Sequence, residues 1–187
     1  MRFLITLALL AGASLPAEAA PQIAFAPTRA DFAGAASDYA LIWRSDGPQI
    51  IGALEAATGL EFPADRIEAR ISDARPMMSF DGRLMRLRAD YSPDYKKATL
   101  VHELGHKLAF LLKRNSGLDD HRLLYLFLYD VWTDLYGKAF ADRMVAIERR
   151  IPGSYDYGSA WDWALSQSRE QRQARLARLR REARLPS

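Results

Sequence analysis

Residues His102-Glu103-Leu104-Gly105-His106 constrain this chain more than any other segment, because they lie in a run whose spacing predicts a helix. Two imidazoles four residues apart share one helical face and suit two ligands of a tetrahedral metal. A carboxylate between them, that of Glu103, can act as general base on a water bound to that metal. Such a site needs at least a third protein ligand. The fold must therefore bring some other segment to the exposed nitrogens of this helix.

The helix has legible ends. Ser92 is a good N-cap, Pro93 fits the first helical position, and Asp94 complements the positive end of the helix dipole. The spacing predicts a helix from Pro93 to about Arg114, stopped by Asn115-Ser116-Gly117. Upstream, Ile50, Ile51, Leu54 and Ala57 follow a helical period from Pro48 to a C-terminal Gly59. Between them lie two alternating segments. Arg66 to Ser72 places Ile67, Ala69 and Ile71 on one face, and Arg83 to Ala89 does the same with Met85, Leu87 and Ala89. Asp81-Gly82 before the second favours a hairpin turn. The two strands are expected to pair antiparallel beside the central helix. Pro21 to Ala36 reads as a lead-in with little structure of its own, and the domain proper starts near Asp38.

Flanked by the uncharged Thr99-Leu100-Val101 and Leu108, the HExxH segment resembles the zincin metallopeptidases. Lys107 departs from that pattern, which usually has an uncharged residue after the second histidine. The resemblance implies an α+β, mostly helical fold: a small zincin-like domain with a short antiparallel sheet packed beside the HExxH helix, followed by further helices. It also implies a zinc-dependent hydrolase that cleaves peptide bonds, with His102 and His106 as zinc ligands and Glu103 as the general base. By the same resemblance, Arg83 to Ala89 is the candidate for strand addition to an extended peptide. The alternative is a zinc-binding zincin-fold adaptor, or an envelope interaction protein, without turnover.

For the third ligand the residues leave three candidates in Asp119 to Gly137: His121, Asp130 and Asp134. The pattern HExxHxxGxxH is absent, because Ala109 and Lys113 occupy its next glycine and histidine positions. Taken as one straight helix of about 100° per residue, the segment has an apolar face of Leu123, Leu124, Phe127, Leu128, Val131 and Leu135. Asp130 and Asp134 border that face and His121 projects from the opposite side of Asp130. Carboxylates bordering an apolar face are costly to bury unpaired, and a cation removes the penalty. Asp130-Val131-Trp132-Thr133-Asp134 also resembles the ExxxD of gluzincins with the first acid shortened, as in aspzincins. That resemblance implies Asp130 as the third ligand and Asp134 as the partner of a ligating histidine. Asp134 or His121 remain alternatives, and His121 could instead donate to the oxyanion of a tetrahedral intermediate. Glu148, beside Arg149 and Arg150, reads as part of a solvated face. Tyr125, Tyr129, Trp132 and Tyr136 recur at helical spacing and read as a packing seam. A third helix is expected over Lys138 to Arg149, and a last one from an N-cap at Ser159.

The ends of the chain address location and partners. Residues 1–20 combine Arg2, an apolar run from Phe3 to Leu10 and Ala17-Glu18-Ala19, the pattern of a secretory signal. The run is shorter than the roughly 20 apolar residues of a spanning helix. With no cysteine there is neither a disulfide nor a lipidated thiol. A periplasmic or secreted protein is expected, with residues 21–37 as lead-in, 38–157 as catalytic domain and 158–187 as a basic C-terminal helix. That tail holds seven of the chain's arginines, from Arg169 to Arg184. It has no aromatic interleaving for stacking on bases, so nucleic acid is not an expected partner. A solvated helix, with weak contact to an anionic surface or to the protein's own body, is expected instead. The expected partner is a peptide or protein substrate.

Overall fold

The computed structural model describes residues 21–113 and 116–183. The proposed signal, residues 1–20, and the expected helix end at Arg114 and Asn115 lie outside the described residues. Among those described, seven α-helices and a four-stranded sheet form an α+β fold that is 61% helical. No described helix is long and apolar enough to cross a membrane.

The sheet comprises β1 (Ile23–Pro27), β2 (Ile67–Ser72), β3 (Met77–Met78) and β4 (Leu84–Arg88), in the order β1-β2-β4-β3. Both predicted strands form, with Ile67, Ala69, Ile71, Met85 and Leu87 buried as their alternation requires. Their pairing differs from expectation. β2 and β4 run parallel, Ala69 opposite Met85, and the antiparallel partner of β4 is the two-residue β3. After β2 the chain crosses to the far edge, descends as β3 and returns through the Asp81-Gly82 turn. Gly82 there has φ 67°, a conformation that favours glycine. The lead-in is also ordered, since β1 pairs parallel with β2 and a helix starts at Ala33, before Asp38.

The helices are α1 (Ala33–Thr58), α2 (Pro93–Leu112), α3 (Asp120–Tyr125), α4 (Leu128–Tyr136), α5 (Lys138–Glu148), α6 (Tyr157–Leu165) and α7 (Arg169–Glu182). α1 ends as predicted at Gly59, whose N–H donates to the Glu55 carbonyl at 2.7 Å. α2 starts as predicted, with the Ser92 hydroxyl accepting from the Tyr95 N–H. This central helix packs against α1, α3, α4, β3 and β4, and Leu100, Val101, Leu104 and Leu108 are fully buried. Gly105 permits the closest of these approaches. A Cβ there would lie 2.6 Å from Leu124 Cδ1.

The single helix expected after Asp119 is two. Leu126 and Phe127 close tight turns onto Leu123 and Leu124, and Val131 restarts the ladder on Phe127. Six consecutive side chains, Leu123 to Leu128, are essentially inaccessible to solvent.

The C-terminal end is likewise two helices. Asp156 caps α6 in place of the expected Ser159, and Ser168 opens α7 with a reciprocal capping box. Four arginines of α7 engage the protein itself. Arg172 makes a two-pronged ion pair with Asp130, Arg169 does so with Asp134, Arg180 donates to the Gly59 carbonyl, and Arg175 lies over the Trp163 ring. Asp130 and Arg172 are 5% and 4% exposed. Asp130→Ala should therefore cost about 3–5 kcal/mol, since it strands a buried guanidinium. Asp134→Ala, on a half-exposed pair, should cost under about 1 kcal/mol. Denaturant unfolding of the two metal-free variants checks the difference.

Candidate metal centre

The chain has three histidines and the fold brings all three together. His102 and His106 project from one face of α2, with their Nε2 atoms 3.2 Å apart. His121 reaches them from the first turn of α3, and the three rings offer nitrogens within 4.8 Å of one another. The break after α3 makes this convergence possible, because the face of α3 is not phased with that of α4. The straight-helix wheel that set His121 opposite Asp130 does not apply.

Asp130 does not join the cluster. Both of its oxygens accept from Arg172, at 2.6 and 3.2 Å, so the cation that relieves its buried charge is a guanidinium of α7. Asp134 accepts both terminal nitrogens of Arg169 and is equally remote from the role expected of it. The structure thus assembles His102, His106 and His121 where sequence favoured His102, His106 and Asp130. This cluster can hold a metal ion.

Glu148 sits under the cluster and is 3% exposed, not solvated as expected. Its Oε1 accepts from His102 Nδ1 at 2.7 Å, and its Oε2 accepts from the Tyr125 hydroxyl at 2.8 Å and the Trp161 indole at 3.0 Å. Burial pushes its carboxyl up, yet the His102 ring and these three donors hold it below the usual glutamate range. The bond keeps a proton on His102 Nδ1, so Nε2, which faces His106, is the nitrogen left for a ligand. A signal for Glu148 was present in the sequence. In α5 the buried residues are Phe140, Ala141, Met144 and Val145, and the next position on that stripe is 148.

The electrostatics favour neutral rings at His106 and His121, whereas at His102 burial is outweighed by the Glu148 carboxylate, which holds that ring above the ordinary histidine range. Burial, reinforced by His102, lowers His121 to about 4, and burial with both neighbouring imidazoles takes His106 well below the ordinary range. Glu103 is also buried, and burial pushes its carboxyl up to about 7 against the opposing influence of His102. Its Oε2, like His106 Nδ1, has no hydrogen-bond partner among the described residues. Converging bare imidazoles with unsatisfied buried polar atoms fit a cation and its water better than a protein-only core.

The centre lines a cleft of about 820 Å³. Tyr155 and Tyr157 pack on the His121 ring, at 4.7 and 4.8 Å between centroids, and Phe110 stacks on His106 at 5.6 Å. Met77 and Met78 of β3 also line it, and β3 is the free sheet edge. Arg83 to Ala89, expected at that edge, instead forms β4, paired on both sides. Lys107 points away from the cleft's metal-ligating atoms. It is buried, donates to the Gly82 carbonyl at 3.3 Å and lies over Phe62, so the departure from the zincin pattern fastens the β3–β4 hairpin.

His121→Ala should abolish stoichiometric metal binding and Glu148→Gln should weaken it about 10–100-fold, while Asp130→Ala keeps its metal at saturation. Elemental mass spectrometry and competition with a chromogenic chelator read all three, and full metal in the His121 variant overturns the assignment. The chain matches no protein-family model, no curated protein and no solved structure, so what the centre can do follows from its own geometry.

Proposed function

We propose that the protein is a zinc-dependent hydrolase of peptide bonds, a small zincin-like metallopeptidase. One observation carries the reading: the chain's entire histidine complement converges beside a buried, unpartnered glutamate oxygen in an open cleft. His102, His106 and His121 would hold the ion. Three imidazole nitrogens favour zinc over magnesium or calcium, which prefer oxygen. Zinc, when bound, supplies a Lewis acid that acidifies water to a pKa near about 7 and polarises a carbonyl.

The protein's own residues supply the rest. Glu103 takes the proton of the attacking water on its carboxylate and passes it to the leaving nitrogen. Burial pushes this carboxyl up to about 7 in the metal-free protein, and a dication beside it would draw it down to the ionised form that a base needs. Glu148 orients His102 and keeps its Nε2 free to ligate. The edge strand β3 lines the cleft with Met77 and Met78, beside the path of an extended peptide, and the Met78 backbone bonds the Glu103 carboxylate. If residues 1–20 act as a secretory signal, the enzyme works in the periplasm or outside the cell.

Glu103→Gln should retain one metal per chain and lose about 10²–10⁴-fold in kcat. A peptide-library digestion by the zinc-loaded protein, read by mass spectrometry, provides the substrate for that comparison. A Glu103→Gln protein with wild-type turnover overturns the mechanism, and a loaded wild type that cuts no peptide overturns the function.

A further inference from the structure

The cleft has a charge asymmetry that the proposed hydrolysis does not use. Its lining acids are occupied: Glu148 accepts from His102, Tyr125 and Trp161, Asp120 pairs with Lys113, and Glu103 is the proposed base. Among its lining arginines Arg88 pairs with Asp90. Arg75 and Arg150 pair with no acid among the described residues. Arg75, in the loop between β2 and β3, donates one Nη2 hydrogen bond to the Pro152 carbonyl at 2.7 Å. Arg150, two residues before Pro152, makes no side-chain hydrogen bond among the described residues, although the neighbouring Arg149 is paired with Asp162. That single bond from Arg75 joins the two loops into one lip, and Arg75 and Arg150 both line the cleft. The lip adjoins the centre, because Arg75 acts on the Tyr157 phenol and the Tyr157 ring packs on His121.

Resting on the peptidase reading, we propose that the cleft selects peptides bearing a carboxylate near the bond to be cut, held at the lip by Arg75 and Arg150. An arginine presents parallel N–H donors that match a carboxylate. Arg150 has all of its donors free, and Arg75 retains most of its own. A cleft lip whose charges are positive and without an acidic partner also concentrates anionic substrate and speeds its arrival, an effect that salt suppresses. The Phe80 and Phe110 rings, 5.0 Å apart, form an apolar part of the same lining with no donor to offer. A carboxylate is therefore directed to the arginine lip.

The test uses matched fluorogenic peptides, Glu or Asp against Gln or Asn, with the zinc-loaded wild type and the zinc-loaded Arg150→Gln protein. The same peptides are also tested for binding to zinc-loaded Glu103→Gln. Acidic peptides should be cut with kcat/KM about tenfold above their amide twins. That ratio should shrink with added salt and fall to about one in Arg150→Gln, at unchanged zinc content. Arg150 makes no contact that the fold needs, so its loss leaves the protein intact. Arg75→Gln should lower the ratio in the same way. Equal cleavage of acidic and amide peptides overturns the carboxylate selectivity and leaves peptide hydrolysis standing. No cleavage, with acidic peptides still bound selectively and released by Arg150→Gln, supports the lip and overturns the hydrolase. No cleavage and no selective binding overturns both, and tighter binding of phosphoserine peptides than glutamate peptides overturns the choice of carboxylate.

Discussion

The buried carboxylate of Glu148 is the interaction on which the centre depends. It lies at the C-terminal end of α5 and accepts hydrogen bonds from residues on three other helices: His102 of α2, Tyr125 of α3 and Trp161 of α6. An ionised carboxylate in the core is expensive unless its lone pairs are met. Meeting them draws four helices to one point. The Tyr125 and Trp161 rings then stack at 3.7 Å, so the acceptor and the aromatic core above it position each other. Losing that acceptor would release the orientation of one ring of the histidine cluster and unfasten the helices that carry its neighbours.

A second buried charge solves the same problem with a guanidinium. Asp130 and Arg172 neutralise each other between α4 and α7, so the arginine-rich end of the chain functions as a strap over the body. Charge periodicity alone cannot separate a strap from a solvated face. Arginines at every third position satisfy either, and the decision lies with the acids of α4 and the carbonyl of Gly59, far away in sequence.

Much of the fold was legible where the cause is local. The start of α2 was marked by Ser92 and Pro93, the end of α1 by Gly59, and the buried faces of β2 and β4 by their alternation. His102, Glu103 and His106 were legible for the same reason, since a one-turn spacing on a helix is a local property. The third histidine was legible only as one of three candidates, with Asp130 favoured over it. Its place in the cluster depends on a break between Tyr125 and Leu128 that no glycine or proline announces. Parallel pairing of β2 with β4 was hidden because β3, the strand that occupies the return path, is two residues long. Glu148 was hidden by its neighbours, the exposed Arg149 and Arg150, although the phase of α5 pointed it inward.

That the whole histidine complement occupies one cluster, in a chain without cysteine, has a practical consequence. Selective nitrogen-15 labelling of histidine would give a spectrum in which every imidazole signal reports on the centre, with no background from elsewhere in the molecule. Ring tautomers, which follow from which nitrogen carries the proton, could then be read one residue at a time as an ion is added. The protein carries its own complete set of spectroscopic reporters at the place where chemistry is proposed.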